Sequence, residues 1–123
     1  MTTFHNIDYQ TLNFEAVQGD GINFIFDAQI WDVTTGAWID FDLSGLCVDM
    51  QVRRQDGLLL KDWHSCPSPA EILVSGHTVQ IVDDSGIMEA GFHNTDIQYR
   101  DPADNVPHTF VRGLFKVTKQ VTV

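Results

Sequence analysis

Apolar and polar residues alternate with a period of two through most of this chain, and most regularly between Gly19 and Arg54. In GINFIFDAQIWD the residues Ile22, Phe24, Phe26, Ala28 and Ile30 fall on one side. Asn23, Asp27 and Gln29 fall on the other, together with Ile25 and Trp31. A glycine turn, a short strand (AWID) and a polar corner (FDLSG) follow, and then a second alternating run in which Leu46, Val48, Met50 and Val52 oppose Cys47, Asp49, Gln51 and Arg53. Such a period predicts strands with one buried and one wet face.

The flanking sequence continues the pattern. Leu12 to Gln18 predicts a short opening strand with Leu12, Phe14 and Ala16 on one side, ended by Gly19-Asp20-Gly21. Asp56-Gly57 between apolar runs signals a hairpin, with Leu58–Trp63 returning antiparallel to 46–54. Pro67 and Pro69 make 64–70 a loop. Glu71–Val74 and His77–Val82 predict two strands joined at Ser75-Gly76, and Phe92–Arg100 predicts another with Thr95, Ile97 and Tyr99 on one face. Residues 101–107 form an exposed turn, and 108–123 the closing strand, where Gly113 marks a bulge or bend. Residues 83–90 (DDSGIMEA) break the alternation and predict one short helical turn capped by Asp83, Asp84 or Ser85.

About eight short strands at regular spacing without a long helix predict an all-β fold, a single antiparallel β-sandwich of immunoglobulin-like type. Residues 1–11, with Phe4 and Tyr9 but no clear period, read as an N-terminal arm, and residues 12–123 as the sandwich. At 123 residues and 43% hydrophobic content, one core is expected.

Charge narrows the partners. Seventeen Asp and Glu against seven Lys and Arg give −10. A phosphate backbone or an anionic membrane is repelled, so neither nucleic acid nor membrane is expected as a partner. Residues 1–52 hold eight acids and no Lys or Arg, whereas 106–123 hold Arg112, Lys116 and Lys119 and no acid. Either strands of opposite sign lie side by side, or an acidic face docks on a basic partner. No secretory leader, membrane span or glycosylation sequon is evident, which suggests a chain made in a reducing cytoplasm with Cys47 and Cys66 as thiols. A bond between them is the alternative.

Candidate chemistry is sparse. His5, His64, His77, His93 and His108 are scattered, and none forms a zinc-protease or nucleophile-elbow motif. His64 and Cys66 have a ligand-like spacing but lack a second pair. Asp83-Asp84-Ser85-Gly86 and Asp40-x-Asp42 lack the ligand pattern of a calcium loop. No catalytic residue, metal or cofactor is expected. An Asp pair acting in hydrolysis remains a minor alternative, since the fold sets carboxylate separation. Trp31, Trp38 and Trp63 suit either packing or a sugar-stacking face.

Gly19-Asp20, Asp42-Leu43-Ser44-Gly45, Met50-Gln51-Val52-Arg53, Gly91 with Asp96-Ile97, and Gly113 through Val121-Thr122 together resemble a small β-sandwich domain of tailed-phage virion proteins. The chain is similar over about residues 14–122 to the N-terminal domain of the baseplate upper protein family and to short tail- or fibre-associated proteins. The resemblance implies a non-enzymatic virion structural protein of baseplate, tail-fibre attachment or head and neck decoration, folded in a bacterial cytoplasm. It implies contacts with other virion proteins and a homo-oligomer, a trimer by analogy. Phe4, Tyr9, Trp38, Asp40 and Asp42 are then the candidate interface residues. A carbohydrate-binding module using surface tryptophans is the alternative.

Overall fold

The computed structural model describes residues 9–67, 70–87 and 89–120. The described residues form eleven strands: β1 (Gln10–Thr11), β2 (Phe14–Val17), β3 (Ile22–Asp27), β4 (Gln29–Asp32), β5 (Ala37–Asp40), β6 (Cys47–Arg53), β7 (Leu59–His64), β8 (Ile72–Ser75), β9 (Thr78–Asp83), β10 (Gly91–Arg100) and β11 (His108–Thr118). The larger sheet runs β1-β11-β10-β6-β7, with β2 also on β11, and the smaller runs β3-β9-β8. Their inner faces enclose one core. The expected all-β sandwich is therefore present, and its order of strands is immunoglobulin-like: β11-β10-β6-β7 against β3-β9-β8.

Alternation explains which side each strand buries. Val48, Met50 and Val52 are fully buried on β6, as are Val79 and Ile81 on β9 and Ile97 on β10. Phe14, Phe24, Phe115 and Trp63 meet between the sheets at ring separations of 5.3 to 6.2 Å, within the range of favourable aromatic contact. Trp63 belongs to the larger sheet, and its indole Nε1–H donates to Asp83 Oδ2 of the smaller one at 2.7 Å. Lys61 Nζ reaches the same oxygen at 3.0 Å. Burial opposes ionisation of Asp83, but donors from Trp63, Ser85 and Lys61 more than offset it and hold its carboxyl well below the usual range.

Several expectations need correction. The sandwich is not wholly antiparallel, since β1 and β2 both run parallel to β11. β1 also falls inside the segment read as an arm. The long strand from Gly21 breaks at Ala28, whose N–H donates to the His77 carbonyl at 2.7 Å while its carbonyl accepts from Phe41 at 2.9 Å. Backbone bonds on both sides turn the chain out of the small sheet, and β4 and β5 become a separate hairpin. No helical turn forms among the described residues 83–90: Asp83 Oδ1 accepts from the Ser85 N–H at 2.9 Å, and buried Ile87 draws the chain into the core, where its carbonyl accepts from Gly19. Met88 lies outside the described residues.

Gly113 serves close approach rather than a bulge. A Cβ there would collide with the Leu12 carbonyl. The bulge in β11 is at Phe110, because Ile97 pairs with Val111 and Gln98 with Thr109. Finally, Cys47 and Cys66 are joined by a disulfide, which overturns the expectation of free thiols. Cys47 starts β6 and is buried, and Cys66 follows the end of β7, which pairs with β6, so the hairpin fold returns the two side chains to each other. Closing a loop with a sequence separation of 19 restricts the unfolded chain. Replacing both cysteines by alanine is expected to lower unfolding stability by about 3 kcal/mol. Urea unfolding of the two proteins with and without reductant checks this, and reductant should affect only the native sequence.

Candidate functional site

One end of the sandwich gathers most of the sequence-derived interface candidates. β3 delivers the chain there, the β4–β5 hairpin projects from it, and the β8–β9 turn and the 101–107 loop lie at the same end by register: Asp27 pairs with Thr78, and Arg100 with Cys47. Inside the hairpin turn the Asp32 carboxylate accepts from the Thr34 N–H at 3.0 Å and from the Thr35 hydroxyl at 2.9 Å, while Gly36 adopts a φ of 66°. That chemistry closes the turn without help from the core. Its root is fastened by Gln10, which donates from Nε2 to the Asp27 carbonyl and accepts the Gln29 N–H, both at 3.2 Å.

Trp31 and Trp38 are directly opposed across the hairpin, with rings edge to face at 5.7 Å and 72°. Both remain exposed, at 37% and 41%, as do Val33 and Ile39. Trp63, by contrast, is 1% exposed, so only two of the three tryptophans can meet a ligand. Tyr9, Gln10, Gln29 and Trp38 line a shallow groove of about 430 Å³. The Arg112 guanidinium lies 5.0 Å from the Tyr9 ring centroid, a cation–π distance that orders the aromatic.

The acidic candidates frame this surface. Asp40 is exposed at the end of β5, and His77 Nε2 is 3.9 Å from its carboxylate and 3.8 Å from that of Asp27. Asp42 Oδ1 accepts the Ser44 N–H at 3.0 Å, and hydrogen bonds from Ser44 hold its carboxyl below the usual value. Tyr9, Trp38, Asp40 and Asp42 thus lie at one end of the fold, and Phe4 lies outside the described residues. The hydrophobic neighbours Val33 and Ile39, and His77 between two carboxylates, were not expected from the sequence. The Val33-to-Gly36 turn was the available signal for the first two, because a short hairpin has no core of its own to cover them.

A denser polar cluster lies beside the disulfide. His64 Nδ1 is 2.6 Å from Asp49 Oδ1, His64 Nε2 is 3.3 Å from Asp62 Oδ2, and Arg100 Nε donates to Asp49 Oδ2 at 3.0 Å. Among the described residues no group of three His, Cys, Asp or Glu side chains is arranged to hold a metal. The His64–Cys66 spacing reflects an ion pair and a disulfide.

No family model matches the chain, and no curated protein does. Among solved structures it is similar to murine CRIg, at 12% identity and a TM-score of 0.37 over 93% of this chain and 95% of that one. The sandwich assignment rests on the strand order and burial described above.

The Asp49 hydrogen bond, aided by both nearby carboxylates, raises the His64 pKa above 6.5. A group whose folded pKa is raised contributes stability that is complete below its unfolded pKa and is lost as pH rises through the folded one. The stability of the native protein relative to a His64→Gln variant is therefore expected to be greatest below pH 6.5 and to decline above it. Denaturant titrations at several pH values check this, alongside NMR titration of the imidazole.

Proposed function

We propose that this chain is a non-enzymatic structural module of a tailed-phage virion and that it holds to a neighbouring virion protein through its hairpin end. The observation that carries the attachment role is the exposed Trp31–Trp38 pair on a hairpin whose hydrogen bonds to the sandwich, among the described residues, lie at its root. Tryptophans dominate binding energy at protein interfaces because each buries a large rigid surface at little entropic cost. Val33 and Ile39 extend the apolar area. Asp27, Asp32, Asp40 and Asp42 surround it with negative charge, which favours a basic partner and discourages stacking of two such ends. The virion setting rests on the resemblance of the turn and strand motifs, above all Asp42-Leu43-Ser44-Gly45 and Met50-Gln51-Val52-Arg53.

The same tryptophans support a second reading, a carbohydrate-binding surface. An edge-to-face pair leaves one ring face able to stack on a sugar, and the groove beside Trp38 offers the Gln10 and Gln29 amides and the Tyr9 ring.

Trp38→Ala and Trp31→Ala are expected to leave the sandwich folded, since neither ring contributes to the core, while weakening attachment by about 2 kcal/mol each, or ~30-fold in affinity. Incorporation of each variant into particles, measured by mass spectrometry of purified virions, checks this. Normal incorporation of both variants would overturn the attachment role. For the sugar reading, the expected outcome is saturable quenching of tryptophan fluorescence by a glycan, absent in Trp38→Ala. Silence across a glycan array would dismiss that reading.

A further inference from the structure

The outer face of the larger sheet has a composition unlike the rest of the chain. Arg53, Arg100, Arg112 and Lys116 point outward from β6, β10 and β11, opposite the buried residues of those strands. The acids that share the face are Glu15, Asp49, Asp62 and Asp96. On a chain of net charge −10 this surface is close to neutral, so it is where a second copy approaches with least repulsion. It also carries exposed Phe92 and Leu114, at 57% and 42%, on neighbouring strands at diagonal positions.

At the middle of the face Asp96 lies in a shallow groove of about 420 Å³ with Gln51, Arg53 and Arg112 along its walls. Although half-buried, its carboxylate accepts no hydrogen bond and makes no ion pair among the described residues. Burial pushes its carboxyl up, and the fields of Arg112 and Arg53 only partly counter this. Arg112 sits directly across the ladder from Asp96, yet its guanidinium turns to the Tyr9 ring and has no carboxylate partner among the described residues. Arg53 is already engaged by the Gln51 side chain and the Gly57 carbonyl. An acid without a hydrogen bond and a base without a carboxylate partner, side by side on one flat face, form a self-complementary pair. A twofold axis passing between β10 and β11 sets each against its counterpart on another copy.

We infer that two copies of this chain pair face to face through the outer surface of the larger sheet, Asp96 of each against Arg112 of the other, with Phe92 and Leu114 supplying the apolar contact. The pairing is isologous, in contrast to the threefold association implied by the family resemblance. It uses the outer face of the sheet and not the hairpin tryptophans, and because Arg112 alone touches both through the Tyr9 ring, Asp96→Arg and Phe92→Ser are the variants that separate the two assignments.

Sedimentation velocity of the full chain over a concentration series tests it. The native protein is expected to show a monomer–dimer equilibrium that weakens with added salt. Asp96→Arg and Arg112→Asp should each weaken the dimer about 10-fold or more, because each sets like charges opposite one another. An equimolar mixture of the two variants should recover dimer as a heterodimer. Phe92→Ser, an exposed substitution, should weaken the native dimer without altering the unfolding midpoint. Circular dichroism identifies any variant that fails to fold, and Phe92→Ser then carries the test. A native chain that stays monomeric to its solubility limit, association equally strong in both charge variants, or a mixture that does not recover would each overturn the inference.

Discussion

The two sheets depend on one buried contact, the indole of Trp63 lying against Phe115 with its N–H delivered to Asp83. The ring fills the core from the larger sheet, and the hydrogen bond fixes how the smaller sheet sits over it. A buried indole N–H left without an acceptor costs about 1–3 kcal/mol, so the packing and the polar contact reinforce one another. Asp83 ends β9, and the same carboxylate orders Ser85 and the chain that follows. One acid thereby joins sheet to sheet and closes the connection that brings Ile87 into the core.

The strands were legible because their period of two survives in the sequence. β6, with Val48, Met50 and Val52, and β9, with Val79 and Ile81, bury the residues their alternation assigns. The departures share a cause, which is that long-range partners outweigh local pattern. Ala28 sits within an alternating run, and nothing local reveals that His77 and Phe41 compete for its backbone. DDSGIMEA has cap residues, but its Asp83 is claimed by Trp63 and Lys61 from another sheet. The disulfide follows from the β6–β7 pairing, which places Ser65 beside Val48 and carries Cys66 back to Cys47.

The candidate surfaces divide along the same line. Trp38, Asp40 and Asp42 could be singled out because they cluster in sequence, and Tyr9 joins them through the Gln10 clamp. Asp96 and Arg112 are sixteen positions apart and become neighbours only through the β10–β11 register, so residue order conceals them. The uneven charge along the chain is matched across strands in one place and left unmatched in another. Lys116 approaches Glu15 across β2 and β11 at 3.9 Å, whereas the acids around the hairpin have no Lys or Arg partner among the described residues.

The parallel pairing of β1 and β2 with β11 also has a mechanical meaning. The described chain enters this ladder at one end of the sandwich and leaves β11 at the other. Tension that draws the two termini apart would load the β2–β11 hydrogen bonds from Phe14–Phe115 to Val17–Thr118 in shear, so that they must give way together rather than unzip singly. An element strung between two larger bodies through its termini would carry load through this parallel ladder. It would stretch little before it yields.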